Sequence, residues 1–198
     1  WDVSAAEKGG YEHFMMKEIE EQPKAIRDTI SPRIKDGKIV LDDISLTEED
    51  IKNINKIYIV ACGSAYHVGV VGKYVIEKMC RIPVEVQVAS EFRYCDPIVG
   101  KDDLVIVISQ SGETADTKAA LEEAKARGAR VLSIVNVVGS AIAKASDDVI
   151  YTWAGPEIAV ATTKAYSTQL TVIYLIAAYM ADKLGKISKE EYTDFIKE

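Results

Sequence analysis

The densest cluster of chemistry-bearing side chains is Ser109-Gln110-Ser111-Gly112-Glu113-Thr114. It directly follows Leu104–Ile108, a run apolar at every position, and opens a stretch of helical composition that ends at Gly128. A helix N-terminus presents amide N–H groups without intrahelical partners and a partial positive charge. The hydroxyls of Ser109, Ser111 and Thr114 add donors around the same point, and Gly112 allows close backbone approach. Together these groups make an anion cradle that needs no arginine. Glu113 and Asp116 must then point away from the anion. Taken singly, each serine reads as a plain helix cap; two serines and a threonine after an all-apolar strand read as a site.

A second small polar loop, Cys62-Gly63-Ser64-Ala65, ends another apolar run, Ile57–Ala61. If these are the first and third strands of a doubly wound sheet, both loops flank the switch point, where ligands bind. Cys62 with His67 could also be a nucleophile and base, although small buried thiols are common. A third stretch, Glu157 to Lys164 (EIAVATTK), opens the last helix. Lys164 in a first helical turn opposes the helix dipole. It is either a solvated lysine or a residue placed there for a carboxylate or ligand, and Glu157 is a candidate beside it.

The elements that position these loops follow from periodicity. A helix is predicted from Tyr11 to about Ile30, with Phe14, Met15, Ile19 and Ile26 inward and a kink or split at Pro23. Lys38–Leu41 is a short strand. Thr47 and Asp50 form a capping box for a helix over 48–54. Strands are predicted at Ile57–Ala61, Val84–Val88, Leu104–Ile108, Val131–Val135 and Val149–Trp153. Helices are expected at Tyr66–Cys80 with Val70, Val71, Val75 and Met79 on the packed side, at Thr114–Arg127, at Ser140–Ala145 and at Thr162 to about Leu184. Residues 1–9 read as irregular. Strands apolar on both faces and separated by helices imply a parallel sheet covered on both sides. The expected fold is α/β, a doubly wound, flavodoxin-like sheet of about five strands with an N-terminal helical extension. The division expected is 1–54 for the extension, 55–184 for the binding domain and 185–198 for the start of a linker.

Composition narrows the function. A net charge of −7 disfavours nucleic acid and anionic membranes as partners. Cys62, Cys80 and Cys95 lack zinc-finger or redox-motif spacing and suit a reduced, cytoplasmic setting. The two histidines are too few for a histidine-built metal site, and no metal or cofactor is called for. The apolar run near Leu170–Ala181 is too short to span a bilayer. Neither a GxGxxG after a strand nor a GxxxxGK[ST] motif occurs, and no carboxylate pair stands out for acid–base work. The chain opens on Trp1, so a piece of a longer protein is expected.

The Ser109–Thr117 segment resembles the phosphosugar-binding loop of the SIS (sugar isomerase) domain family. The set of Tyr11–Pro23 (YEHFMMKEIEEQP), Cys62-Gly63-Ser64, Ala89–Tyr94 (ASEFRY), Ser109–Thr117, Glu157–Ala165 (EIAVATTKA) and Ser167–Leu170 narrows the resemblance. It is similar to the first half of the isomerase domains of the glucosamine-6-phosphate synthase family. The resemblance implies binding of fructose 6-phosphate or glucosamine 6-phosphate. Ser109, Gln110, Ser111 and Thr114 match phosphate-gripping positions, Cys62, Gly63 and Ser64 match a loop along the sugar, and Val160 matches a position whose backbone meets it. Ala65 departs from the family, which commonly carries a hydroxyl there. The resemblance also implies a glutaminase domain and a second SIS subdomain in the parent enzyme. That subdomain and the parent's C-terminal tail carry the catalytic groups, so the chain alone is expected to bind and not turn over. A sugar-phosphate-sensing module without catalysis is the alternative. Two apolar sides on the last helix, Ile173/Ile176/Ala177/Met180 and Val172/Leu175/Tyr179, exceed what one domain face covers. A homodimer contact through this helix and the N-terminal one is therefore expected.

Overall fold

A computed structural model describes residues 7–197; residues 1–6 of the irregular stretch expected over 1–9, and Glu198, lie outside the described residues. The first part of the chain forms α1 (Phe14–Ile30), a small hairpin of β1 (Ile34–Lys35) and β2 (Lys38–Ile39), and α2 (Glu48–Asn53). The capping box at α2 is present as expected: Thr47 Oγ1 accepts from the Asp50 amide, and the Asp50 carboxylate accepts from the Thr47 amide.

A parallel sheet follows, built from β3 (Lys56–Ala61), β4 (Val84–Val88), β5 (Asp103–Ser109), β6 (Arg130–Val135) and β7 (Asp148–Tyr151) in the order β4-β3-β5-β6-β7. Counted within the sheet this is the 2-1-3-4-5 order, and the switch point lies between β3 and β5. The apolar runs split by parity. Ile57, Ile59, Leu104, Ile106, Leu132, Ile134 and Ile150 face α3 (Ser64–Cys80) and α7 (Lys164–Lys183). Tyr58, Val60, Val105, Val107, Val131 and Val135 face α4 (Ala89–Phe92), α5 (Ala115–Ala126) and α6 (Ala141–Ala145). Both faces are covered, which is why the strands read as continuous apolar runs. A last helix, α8 (Lys189–Lys197), was not foreseen; its Tyr192 is buried, and the phenol accepts from the Ile39 amide.

Three sequence expectations are corrected by the structure. The packed side of α3 is Val68, Gly69, Gly72, Ile76 and Cys80, while Val70, Val71, Val75 and Met79 are only half-buried. The glycines explain the shift: an added Cβ would stand 2.9 Å from Ile59 at Gly69 and 3.1 Å from Ile173 at Gly72. Small residues therefore mark the closest approach of α3 to β3 and α7, where hydrophobicity alone points elsewhere.

Helix α1 is not split at Pro23, which lies inside one continuous helix. Proline cannot donate to the Ile19 carbonyl, and Gln22 Nε2 supplies that bond at 3.1 Å. The inward side of α1 is also polar: Lys17, Glu18, Ala25 and Thr29 are buried, whereas Ile19 is exposed.

The two apolar sides of α7 are covered within the chain. Val172, Ile173, Leu175, Ile176, Ala177, Ala178, Met180 and Ala181 are all buried. Helices α1, α2, α3 and α8 pack against α7 from several directions. It is a core helix, so the reasoning that required a partner subunit to cover it fails.

Candidate functional site

The two loops singled out by sequence meet at the switch point. They flank a polar cleft of about 260 Å³, lined by Cys62, Ser64, Ala65, Ser109, Gln110, Ser111, Thr114, Glu157, Ala159, Val160, Thr162 and Gln169 among others. A larger groove of about 400 Å³ between α1, α7 and α8 is lined mainly by Ile30, Ile34, Leu175, Phe195 and Ile196 and offers no comparable convergence of polar groups.

The Ser109–Thr114 loop is held by its own hydroxyls. Ser109 Oγ accepts from the Gly112 amide at 3.1 Å and lies 3.0 Å from Thr114 Oγ1; Ser111 Oγ accepts from the Glu113 amide at 3.2 Å. Gly112 has φ +66°, and an added Cβ would fall 2.1 Å from Ser140 Oγ. Thr114 precedes the first turn of α5 and makes no side-chain cap bond. The first-turn amides therefore keep their donor capacity toward the cleft. The two acids in this segment do point elsewhere. The Glu113 carboxylate accepts from the Ala141 amide at 2.8 Å, and Asp116 pairs with Arg93 at 2.8 Å, which holds the guanidinium pKa above its usual value. Among the described lining residues no lysine or arginine occurs. Hydroxyls and amides must carry anion recognition.

Across the cleft, Gly63 stands before α3 with φ +60° and ψ −136°, a region open essentially to glycine, and α3 likewise lacks a side-chain cap. Cys62 is half-buried and accepts a long contact from the Thr117 hydroxyl at 4.0 Å. His67 is exposed and packs its ring on Tyr66.

The third wall is the segment before α7. Glu157 caps that helix: Oε1 accepts from the Thr163 amide at 2.9 Å and the Ala165 amide at 3.2 Å, and Oε2 accepts from the Thr162 hydroxyl at 2.9 Å. Val160 is fully exposed at the rim. Lys164 is not solvated and does not line this cleft. It is 3% exposed and donates to Glu21 Oε2 of α1 at 2.6 Å. Of the expected residues, the cleft thus gathers Ser109, Gln110, Ser111, Thr114, Cys62, Ser64, Val160 and Glu157, with Gly63 in its wall loop, and leaves Lys164 behind it. The cleft is also lined by Thr162, which the third stretch contained without singling it out, and by Gln169, which was not expected there. Gln169 gave no separate signal, since it stands beside Ser167, Thr168 and Thr171 in the first half of α7.

A doubly wound sheet with a hydroxyl-lined cleft at its switch point defines the class. The SIS domain profile matches residues 50–179, and the chain belongs to the SIS domain family. Within that family it is similar to the glutamine–fructose-6-phosphate aminotransferases (isomerizing). It is 67% identical over 192 residues to that of Clostridium acetobutylicum, covering 96% of this chain and 32% of the relative. It is 63% identical over 199 residues to that of Clostridium tetani, covering 100% and 33%. The chain spans about a third of the length of these curated relatives. Among solved structures it matches the C-terminal domain of glucosamine-fructose-6-phosphate aminotransferase from Francisella tularensis with TM-score 0.92 and 39% identity, covering 96% of this chain and 54% of that one. No helix among the described residues is long and apolar enough to cross a membrane.

Proposed function

We propose that this chain is the sugar-phosphate-holding half of the isomerase domain of a glutamine–fructose-6-phosphate aminotransferase. The observation that carries the reading is the convergence of Ser109, Ser111 and Thr114 with the uncapped N-terminus of α5 on one polar cleft. Ser109, Gln110, Ser111 and Thr114 take the phosphate. Cys62, Gly63, Ser64 and the Val160 backbone run along the hexose. Each bond from these donors to a charged phosphate oxygen contributes roughly 1.5–3 kcal/mol. In this reading residues 55–184 are the binding domain, 1–54 an N-terminal extension of it, and 185–198 the start of a linker to a second SIS subdomain. The parent enzyme, a cytoplasmic homodimer, also carries a glutaminase domain and makes glucosamine 6-phosphate from fructose 6-phosphate and glutamine.

Calorimetry of the chain with glucosamine 6-phosphate, glucosamine and inorganic phosphate tests the reading. The phosphorylated sugar should bind, inorganic phosphate should compete with it, and glucosamine should bind far more weakly. Absence of glucosamine 6-phosphate binding up to about 10 mM, a free energy weaker than roughly −3 kcal/mol, sinks it.

A further inference from the structure

The third wall of the cleft does not stand on its own. Glu18 of α1 is 2% exposed, and its Oε1 accepts from the Ile158 amide at 2.6 Å and the Ala159 amide at 3.1 Å. These are the two residues before Val160. The other carboxylate oxygen, Oε2, is buried and has no hydrogen-bond partner among the described residues. A carboxylate taken out of water and only half satisfied is costly, so core packing alone gives no reason for a glutamate here. Two further bonds join the same faces: Glu21 to Lys164 at 2.6 Å, and Gln22 Oε1 accepting from Ser167 Oγ at 2.6 Å. All three side chains lie in the first turns of α1, outside the matched residues 50–179.

We propose that Glu18 is a positioning residue of the sugar cleft. Its carboxylate fixes the Ile158–Val160 rim at the height where the backbone can meet the hexose, so the N-terminal extension is part of the binding site. The inference rests on the proposed sugar-phosphate reading. It separates the two ends of the ligand: phosphate recognition depends on the Ser109–Thr114 loop, which Glu18 does not touch, and sugar recognition depends on the rim. What matters in Glu18 is an acceptor of the right reach, more than its charge.

The test compares Glu18→Asp, which keeps the charge and shortens the reach, with Glu18→Gln, which keeps the reach and one carbonyl acceptor. Both are titrated with glucosamine 6-phosphate and with inorganic phosphate, at a temperature where thermal unfolding shows each variant folded. Losing well-formed bonds to the rim should cost Glu18→Asp about tenfold in glucosamine 6-phosphate affinity, with inorganic phosphate affinity within about twofold of the unsubstituted chain. Glu18→Gln should recover most of the loss. Unchanged hexose-phosphate affinity in Glu18→Asp overturns the proposal, as does an equal loss for both ligands, the mark of a general structural role. If the unsubstituted chain binds inorganic phosphate but gains nothing from the sugar, the functional reading and this inference fall together. A loss confined to the variants' sugar affinity supports both.

Discussion

Ser109 Oγ and Thr114 Oγ1 lie 3.0 Å apart, one at the end of β5 and the other at the entrance to α5, and the Gly112 amide donates to Ser109 between them. The loop is therefore held by its own hydroxyls, and their protons can reorient toward an anion without backbone movement. Thr114→Val keeps the shape and removes the donor. It should weaken glucosamine 6-phosphate binding by about tenfold with little effect on the thermal midpoint, and Ser111→Ala should do the same. Ala65→Ser, which supplies a hydroxyl beside the cleft, should leave affinity equal or slightly higher. Calorimetry on the three variants distinguishes a hydroxyl cradle from a loop that merely ends a strand.

Gly112 is required twice over. Its φ of +66° disfavours any side chain, and a Cβ there would also stand 2.5 Å from Ser140 Cβ. Gly112→Ala should lower stability by about 2–4 kcal/mol. Adding Ser140→Gly should return the steric part and leave the left-handed backbone cost of about 1–2 kcal/mol. Denaturant melts of the single and double variants measure both parts; an undiminished deficit in the double variant would place the strain elsewhere.

Much of this arrangement was legible in the sequence. All-apolar strands separated by helices imply a parallel sheet covered on both sides, because burial on both faces leaves continuous hydrophobic runs; the strand order came with the flavodoxin-like topology assumed for such a sheet. The two serine loops fell at the switch point for the same reason. Periodicity failed where the packed side is not apolar. On α3 the tightest approaches are at glycines, and on α1 the buried side includes Lys17, which donates to the Glu7 carbonyl just before the helix, and Glu18, which accepts from the Ile158 and Ala159 amides. Hydrophobic pattern cannot detect a helix that docks through hydrogen bonds. The one sign was a charged residue on a side that had to be buried.

Asp148 ties the extension to the sheet. Its Oδ1 accepts from the Ser45 amide at 2.6 Å and the Ser45 hydroxyl at 2.8 Å, and Oδ2 accepts from Arg130 at 2.7 Å. Burial pushes this carboxyl's pKa up, but the Arg130 bond and the two Ser45 donors together outweigh it, and the net shift is downward from 3.8. The contribution is therefore in force above the unfolded value and is lost as pH falls below about 4 through the lower folded value. Asp148→Asn should be less stable than the unsubstituted chain at pH 7, and the gap should narrow as pH falls below about 4. Denaturant midpoints across that range check the sign; a gap that widens on acidification would contradict it.

The three thiols report on three environments, and one of them reports on the ligand. Cys95 is exposed. Cys80 is buried, donates to the Ala177 carbonyl at 3.3 Å, and burial pushes its pKa up to about 12. At pH 8 only about one part in ten thousand of it is thiolate, the reactive form. Cys62 is half-buried on the cleft wall. An aromatic disulfide reagent should therefore label Cys95 first and Cys62 more slowly, and reach Cys80 only on unfolding. Saturating glucosamine 6-phosphate should slow Cys62 by about tenfold or more, since a ligand that covers the thiol removes access to it, and should leave Cys95 unchanged. Mass mapping of the labelled peptides over time separates the three rates. If Cys62 reacts at the same rate with and without a bound hexose phosphate, the sugar does not run along Cys62-Gly63-Ser64, and that wall of the cleft belongs to the fold alone.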